Sequence, residues 1–516
     1  MPAAPLPDPP LTGERLRPHR VGIDTGGEHV AYLPHGSSAC RGEGFGPHSR
    51  LQLSLGNRQL MATLAIMQGD GLAPDQIGLS ESAWSGLQPA ESDYVTLAHP
   101  PAVESLSSVR AKLYGRALTE VELRAIVTDI AAQRYSSIQM AAFIAGCSGD
   151  HLALDEVAAL TGAMVDTGAR LAWPNPVVVD KHCIGGLPGN RTTPIVVAIV
   201  TALGLIMPKT SSRAITSPAG TADTMAVLTT VDLDITRMRC TVERTGGCLV
   251  WGGAINLAPV DDVLIRIERA LDIDSPGQLV ASILSKKIAA GSTHVVIDIP
   301  VGPTAKVRQA RHARTLERML RAVAARFGLG LTALRTDGLQ PVGRGVGPAL
   351  EAHDVLAVLQ NRPGQPLDLR QRALELAAVV LATTGCVEAP QSLAMARECL
   401  DSGQAWRQFQ AICEAQGGLR SPGVAPYRHS VVATREGSVE AIDNRRLAQA
   451  AKLAGAPFSP LAGLVIDVRL GDPVARGQPL FTLHAQSPGE LAYALEYVLR
   501  HPDIVSLDTS HRDMGA

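Results

Sequence analysis

The segment from Val177 to Met207 constrains the fold most, because it has the order strand, Gly-rich loop, helix and strand. Three consecutive valines, Val177 to Val179, are typical of a short buried strand. A loop is predicted over residues 180–190, followed by an apolar helix from Thr192 to Leu203 and a second strand that begins at Ile206. This order predicts a βαβ unit and therefore a parallel sheet.

Composition restricts the class of protein. The 516-residue chain is 46 % hydrophobic and too long for one ordinary core, so we expect several domains. The formal net charge of −2, without a long run of one sign, does not indicate a nucleic-acid partner. Eight cysteines without a C-x-x-C pair are typical of a reduced cytosolic chain. The start lacks the apolar region of a secretory signal, and no unbroken apolar run is long enough to span a membrane. We therefore expect a cytoplasmic protein without a membrane partner.

Changes of pattern along the chain predict an α/β and α+β multidomain fold. Short apolar runs between Gly, Pro and Asp turns indicate a β-rich N-terminal domain, and helical periodicity follows it. We expect the helical domain and a large α/β phosphate-binding domain to flank an active-site cleft. The predicted segments are a disordered N-terminus over 1–20, the β-rich domain over 21–100, the helical domain over 101–172 and 258–291, the α/β domain over 173–257 and 292–425, and a C-terminal α+β domain over 426–516.

Two capping boxes are predicted at helix starts. Thr119 and Glu122 have the required spacing before an apolar face. Ser275 and Gln278 repeat the pattern with a proline at the first helical position. Because this second cap is complete without Asp274, the carboxylate of that residue is left for another role.

The loop over residues 180–190 is the first candidate site. A Gly-rich turn that opens a helix exposes backbone N–H groups, and these groups together with the helix dipole favour an anion. Lys181 adds a point charge, and Thr192 and Thr193 offer hydroxyls at the helix start. The alternative is a plain loop that uses Gly for tight geometry and Thr as a cap. The loop is not a Walker motif, because Gly-Lys-Ser/Thr is absent at the required spacing.

The stretch from Lys209 to Thr224 is the second candidate site. It is rich in Ser and Thr and contains Arg213, directly after a predicted strand. Hydroxyl groups bind phosphate or sugar oxygens, and a guanidinium can hold two oxygens at once. The alternative is a polar surface turn in which Thr221 or Asp223 caps the next helix.

The helix that follows Asp274 is the third candidate site. Ser282 and Lys286 are four residues apart, so they share one helix face. Lys286 and Lys287 could instead be solvated residues that stabilise the negative end of the helix dipole. We expect that alternative to hold for Lys287 more than for Lys286.

Taken together, three motifs resemble the thymidine/pyrimidine-nucleoside phosphorylase family. They are Asp180-Lys-His-Cys-Ile-Gly-Gly186, Ser212-Arg-Ala-Ile-Thr-Ser217 with Gly220-Thr-Ala-Asp223, and Ala281-Ser-Ile-Leu-Ser-Lys-Lys287. Their order and spacing match over roughly residues 100 to 500. The wording Pro-Gly-Asn after the glycines and the Ser-Arg-Ala-Ile-Thr-Ser form resemble a long subfamily that includes AMP phosphorylases. Ile77-Gly-Leu-Ser-Glu81 in the extra N-terminal domain indicates the same subfamily.

The resemblance implies site residues, phosphate as co-substrate, no cofactor and no metal. By similarity to AMP phosphorylases, the proton donor is Asp274, and nucleotide contacts come from Gly186, Ser212, Arg213, Ala214, Ile215, Thr216, Ser217, Thr221, Ser282 and Lys306. By similarity to thymidine phosphorylases, phosphate contacts come from Lys181, Thr193, Ser211 and Thr221, and base contacts come from Ser282, Lys286 and either Arg266 or Arg269.

One residue departs from the family pattern. Cys183 stands where the family usually has a phosphate-binding serine. A thiol is a weaker donor than a hydroxyl, and a thiolate would repel phosphate. Backbone N–H groups would then have to supply the missing interaction.

The resemblance implies phosphorolysis of thymidine to thymine and 2-deoxyribose 1-phosphate. Phosphorolysis of a nucleoside 5′-monophosphate such as AMP is the alternative that the sequence leaves open. A magnesium-dependent phosphoribosyltransferase of the anthranilate type and a non-catalytic nucleotide-binding protein are more distant rivals. The tail resembles a lipoyl or biotinyl half-barrel, but no lysine follows Lys452, so we expect a structural role for it. The resemblance also implies a homodimer or larger homo-oligomer.

We predict that Asp274→Asn lowers the turnover of an adenine nucleotide strongly. A protonated carboxyl can give a proton to the leaving base, whereas an amide cannot. The measurement is the rate of phosphate-dependent adenine release by the variant and by the wild type. A near-wild-type rate would remove Asp274 from the mechanism.

Overall fold

The computed structural model of the protein describes most of the chain. The described residues are 14–42, 44–214, 217–273, 275–385 and 387–508. The chain forms two compact units, Met1–Gly146 and Cys147–Ala516. No described helix is both long enough and apolar enough to cross a membrane.

The first unit contains a closed six-stranded β-barrel with the strand order β1-β5-β2-β4-β3-β6. The strands are β1 Glu14–Arg20, β2 Val30–Pro34, β3 Arg50–Leu55, β4 Arg58–Met67, β5 Gln76–Leu79 and β6 Val95–Ala98. The helices are α1 Ser38–Gly42, α2 Glu81–Leu87, α3 Leu106–Leu113, α4 Glu120–Ala131 and α5 Ser137–Gly146. The capping box of Thr119 and Glu122 at the start of α4 is confirmed.

The expectation of disorder up to residue 20 is wrong for its described part. Residues Glu14–Arg20 form β1, which pairs with β5 on one side and with β6 on the other. The strand is held because its neighbours supply main-chain partners and because Leu16 is buried in the barrel core. Residues 1–13 of that prediction lie outside the described residues.

The second unit begins with one helix of the predicted helical domain and continues into a parallel sheet. The helices α6 Leu154–Asp166, α10 Pro259–Leu271 and α11 Pro276–Ala289 pack together. The sheet strands are β7 Val179–Cys183, β8 Met207–Ser211, β9 Gly247–Trp251, β10 His294–Val301 and β11 Gly330–Asp337. The remaining helices of this region are α7 Thr192–Ala202, α8 Thr221–Leu228, α9 Ile235–Thr245, α12 Ala310–Arg326, α13 Pro348–Leu359, α14 Leu367–Thr383, α15 Ala389–Asp401 and α16 Gln404–Ala415.

The predicted parallel sheet is confirmed. Strands β11, β10 and β7 pair in parallel, and so do β8 and β9. A parallel bridge between Val178 and Ile206 connects the two groups, which gives the order β11-β10-β7-β8-β9. Helix α7 leads from β7 to β8, whereas β10 lies on the other side of β7. This reversal is a topological switch point, where open α/β sheets bind ligands beyond the carboxyl ends of their strands.

The α7 helix is apolar on all sides because it lies inside the α/β core. All its residues from Thr192 to Thr201 are buried, and α14 and α16 pack against it. A helix without a polar face is typical of such a central position. Its start is therefore fixed at the carboxyl end of β7.

The C-terminal region is an α+β arrangement built on two small sheets. Its elements are β12 Gly345–Val346, β13 Tyr427–Val432, β14 Gly437–Ile442, β15 Gly463–Ile466, β16 Pro473–Val474, β17 Pro479–Ala485, β18 Val505–Asp508, α17 Asn444–Leu453 and α18 Pro488–Arg500. One sheet has the order β12-β15-β17-β13 and the other β16-β14-β18. Strand β12 comes from the α/β part of the chain, so this part and the tail share a sheet.

Candidate active site

Three loops follow neighbouring parallel strands at one edge of the sheet. Residues 184–191 follow β7, residues 212–220 follow β8, and residues 302–309 follow β10. Because parallel strands bring their carboxyl ends to the same edge, the first two candidate sites lie on the same side of the sheet. The switch point lies between β7 and β10.

The strand before the Gly-rich loop is longer than the sequence pattern indicated. We predicted that the loop begins at Asp180, but β7 continues to Cys183 and pairs with β10 up to Asp298. The polar residues remain in the strand because they have partners there: Asp180 binds two lysines and Lys181 binds Thr192.

The Gly-rich loop contacts the loop after β10 at the switch point. Gly185 and Gly186 have φ values of +92° and +81°, a conformation that favours glycine. A Cβ atom at Gly186 would lie 2.1 Å from the backbone nitrogen of Lys306. Glycine is therefore required at this position, and the predicted site residues Gly186 and Lys306 are brought together.

Lys181 lies beneath the loop. Its side chain is fully buried, and its Nζ donates to Thr192 Oγ1 over 2.8 Å. The carboxylate of Asp298 lies 3.9 Å from the same Nζ, and Thr336 donates to that carboxylate over 2.7 Å. Thr193 is also buried at the start of α7. The lysine therefore fixes the helix start and places a positive charge under the loop.

The thiol of Cys183 is neutral at neutral pH. Asn190 Nδ2 donates to Cys183 Sγ over 3.4 Å. Burial, assisted by the nearby charge of Asp298, raises the pKa of Cys183 to about 12. The repulsion between a thiolate and phosphate, which the sequence left as a concern, therefore does not arise in this environment.

A buried charge network joins β7, β8 and α11. Asp180 Oδ1 lies 3.0 Å from Lys209 Nζ, and Asp180 Oδ2 lies 2.6 Å from Lys287 Nζ. Burial alone would raise the pKa of Asp180, but the two ammonium groups outweigh it and lower this pKa. The expectation that Lys287 is a solvated helix-end residue is wrong, because Asp180 supplies a buried counter-charge that the local sequence does not reveal.

The α11 and β7 residues share one electrostatic environment. Burial lowers the pKa of His182 well below its usual value, and the charges of Lys287, Lys209, Lys181 and Lys286 lower it further. His182 is therefore neutral at neutral pH. Lys286, a predicted base contact, lies close enough to the end of β7 for its charge to act there.

The loop after β8 is anchored by Asp223. This carboxylate accepts from the backbone nitrogens of Ala214 over 2.6 Å and Gly220 over 2.8 Å, and so caps α8. Ser211 Oγ is buried and has no hydrogen-bond partner among the described residues. A hydroxyl in this state can donate to a bound oxygen. Ser211 is one of the predicted phosphate contacts.

Arg213 lies on the surface side of this loop. Its guanidinium stacks over the ring of Trp251 at 4.8 Å and lies 3.1 Å from Asp232. Ser212 and Ser217 are exposed, and Ser217 Oγ donates to Ala219 O over 2.9 Å. The predicted contacts Ile215 and Thr216 lie outside the described residues.

The shared helix face of Ser282 and Lys286 is confirmed. Ser282 Oγ donates to Asp261 over 3.0 Å, and Lys286 Nζ lies 2.6 Å from the same carboxylate and 3.5 Å from Asp262. Burial would lower the pKa of Lys286, but the two carboxylates outweigh it and raise this pKa. Burial raises the pKa of Asp262. The lysine is therefore a fixed cation, which the sequence could not reveal because both carboxylates come from α10.

The capping box predicted at the start of α11 is wrong. Ser275 Oγ makes no cap and instead donates to Cys147 O over 3.1 Å, and neither polar side-chain atom of Gln278 has a hydrogen-bond partner among the described residues. Asp274, the predicted proton donor, lies outside the described residues. Of the two arginines left open, Arg266 acts on the pKa of Asp262, whereas Arg269 acts on that of Lys452.

Arg191 is a site residue that the sequence reading missed. Its guanidinium lies 2.6 Å from Glu351 and donates to Thr221 Oγ1 over 2.8 Å. One signal was present in the sequence: a cation at the first turn of an apolar helix opposes the helix dipole and therefore needs an anionic partner. The partner, on α13, is 160 residues away.

Two regions of the chain match known families. Residues 107–168 match the family described as "Glycosyl transferase family, helical bundle domain", and residues 438–504 match "Pyrimidine nucleoside phosphorylase C-terminal domain". The architecture of the α/β part agrees with a solved structure of anthranilate phosphoribosyltransferase from Thermus thermophilus. That structure is similar with a TM-score of 0.51 at 18 % identity, over 60 % of this chain and 99 % of the other.

Curated relatives match almost the entire chain. "Putative thymidine phosphorylase" from Polaromonas sp. (strain JS666 / ATCC BAA-500) is 58 % identical over 505 residues, covering 98 % of this chain and 99 % of the relative. "Putative thymidine phosphorylase 2" from Acidovorax sp. (strain JS42) is 57 % identical over 495 residues, covering 96 % of each. These similarities and the two domain matches identify the chain as a pentosyltransferase.

We predict that Lys287→Met removes a pH dependence of stability that the wild type shows. Burial lowers the pKa of Lys287 to about 7, whereas an unfolded lysine titrates near 10.5. Between these values the unfolded chain binds more protons, so the stability of the wild type rises with pH by up to about 1.4 kcal/mol per unit. Denaturant unfolding of both proteins at pH 7, 8 and 9 measures the difference. Parallel dependences in the two proteins would contradict the prediction.

Proposed function

Because the chain belongs to the thymidine/pyrimidine-nucleoside phosphorylase family, we propose that it splits thymidine with inorganic phosphate into thymine and 2-deoxyribose 1-phosphate. The observation that carries the proposal is the shared environment of the Gly-rich loop and α11, in which the charge of Lys286 acts on His182 at the end of β7. The names of the relatives support the choice of thymidine.

The phosphate is proposed to bind at the carboxyl edge of the sheet. The Gly185–Gly186 turn and the start of α7 offer backbone N–H groups and the positive end of a helix dipole. Ser211 and Thr221 offer hydroxyls from the neighbouring loop and α8. Lys181 lies beneath the turn and adds positive charge without being exposed. No metal is required in this arrangement.

The base is proposed to bind against α11. Ser282 and Lys286 would donate to its carbonyl oxygens, with Arg266 as the third donor. Since Asp261 holds Lys286 in its charged form, the cation is in place before the base gains negative charge. Donors that are fixed in advance stabilise a developing charge more than donors that must reorganise.

The proposed reaction is a displacement at the anomeric carbon. A phosphate oxygen forms a bond to this carbon as the bond to the base nitrogen breaks, and the electron pair leaves with the base. The transition state has oxocarbenium character, by analogy with glycoside hydrolysis, and the phosphate supplies the counter-charge. Holding the two reactants together can supply roughly 7–11 kcal/mol of the rate enhancement. The cleft between α11 and the sheet edge would close around them.

A second candidate function is phosphorolysis of a nucleoside 5′-monophosphate. It is favoured by a second helix start at the same edge, α8, which follows the hydroxyl-rich loop over residues 212–220. One helix start could hold the co-substrate and the other a 5′-phosphate. In that case Asp274 would protonate the leaving purine.

A substrate panel distinguishes these functions. Thymidine, uridine, AMP, CMP and UMP are incubated with the protein with and without inorganic phosphate, and the released base is quantified. We expect thymine release that depends on phosphate. Adenine release from AMP alone would favour the second candidate, dependence on magnesium and a pyrophosphorylated sugar would favour a phosphoribosyltransferase, and binding without release would favour a nucleotide-binding protein.

We predict that Lys286→Met lowers kcat for thymidine by about 10²–10³-fold, because one fixed donor to the developing charge is lost. The matched control is Lys452→Met, which removes a lysine from α17 in the C-terminal domain. Steady-state kinetics at saturating phosphate measures both variants. A Lys286→Met rate within twofold of the control would exclude this role for Lys286.

A further inference from the structure

Arg191 joins the two anion-binding loops through one guanidinium. The residue precedes α7, and its Nη1 donates to Thr221 Oγ1 over 2.8 Å at the start of α8. Its Nη2 donates to Ala219 O over 2.9 Å, and its Nε donates to Glu351 over 2.6 Å. A single side chain therefore sets the distance between the starts of two helices.

Glu351 completes this connection from α13. Its side chain is 1 % exposed, and Oε2 accepts from both Arg191 and Thr224 Oγ1, the latter over 3.0 Å. Oε1 accepts from the backbone nitrogen of Gly347 over 3.3 Å. We call Arg191 and Glu351 the clasp. The clasp connects α7, α8 and α13.

The clasp is an expensive way to hold three helices together. Arg191 is only 13 % exposed in its side chain and stands at the positive end of the α7 dipole. Burying an ion pair commonly offsets its own attraction, so an apolar pair would stabilise the fold at least as well. A directional, bidentate donor is useful where geometry must be exact to a fraction of an ångström.

The hydrogen-bond direction at Thr221 shows what that geometry prepares. Arginine can only donate, so Thr221 Oγ1 is the acceptor in this bond. The hydroxyl proton of Thr221 is then free to donate to another group. No residue among those described accepts it, so it is available to a ligand at the sheet edge.

We propose that Arg191 and Glu351 are positioning residues that orient the Thr221 hydroxyl toward the phosphate and fix the α8 start relative to the Gly-rich loop. The inference rests on the proposed function for the identity of the ligand. The clasp acts on phosphate binding and not on the nucleobase, because none of its atoms belongs to α10 or α11.

The C-terminal sheet stands behind the clasp. Gly347, whose nitrogen donates to Glu351, has a φ of +129°, and a Cβ atom there would lie 2.3 Å from Ala462 O. The adjacent strand β12 pairs with β15, and Ala349 N donates to Pro460 O over 2.9 Å. The tail domain therefore supports the position of Glu351, and through it the position of Thr221.

The test compares Arg191→Ala and Arg191→Lys with the wild type. We expect Arg191→Ala to raise the KM for phosphate about tenfold or more, with the KM for the nucleoside within about twofold. Arg191→Lys keeps the charge but cannot serve three acceptors, so an intermediate KM for phosphate is expected. The matched control is Arg370→Ala, which removes an arginine 17 % exposed from an ion pair with Asp401 and should leave both KM values unchanged.

A double-mutant cycle with Thr221→Val tests whether Arg191 acts through the hydroxyl. In the Thr221→Val background, Arg191→Ala should have almost no further effect on the KM for phosphate. Additive effects, or equal changes in both KM values for Arg191→Ala, would overturn the proposal. If Arg191→Ala does not fold, an unchanged KM for phosphate in Arg191→Lys would overturn it.

A binding measurement separates this inference from the proposed function. Inorganic phosphate should raise the Tm of the wild type and raise it less in Arg191→Lys, since a ligand that binds the folded state stabilises it. If the wild type releases no base but shows this pattern, the proposed function fails and the clasp stands. If phosphate does not change the wild-type Tm, the clasp has no phosphate to position and the inference falls.

Discussion

The pairing of Asp180 with Lys209 and Lys287 is the interaction on which the site depends most. It brings together the start of β7, a residue of β8 and the last turn of α11 in a region closed to water. Removing one member of such a group leaves a buried charge without compensation, which typically costs about 3–5 kcal/mol. Because the three elements belong to the phosphate side and the base side of the proposed cleft, the network fixes the two sides relative to each other.

The sequence predicted the architecture better than the contacts. The βαβ segment, the parallel sheet and the Thr119 cap followed from local patterns, which are periodicity and the spacing of capping residues. The end of β7 and the burial of Lys287 did not, because both depend on partners far along the chain. Asp180, the partner of Lys287, is 107 positions away from it by residue number.

The same distinction applies to the candidate site. The resemblance named Gly186 and Lys306 without a reason for their proximity, and the structure supplies one: their backbones approach too closely for any side chain at the glycine. Asp261 and Arg191 were not predicted, since an acid in a helix and a base before a helix are common on surfaces. Their importance comes from long-range pairing with Lys286 and Glu351, which a single sequence does not display.

The closure of the N-terminal barrel depends on its first strand. Strand β1 is the member that joins β5 to β6, so the ring is complete only when residues Glu14–Arg20 are present. A shortened chain that starts at Val21 would expose the main-chain donors and acceptors of two strands along their full length. Unpaired strand edges of this kind recruit other chains, so the polar beginning of the sequence protects the protein from self-association.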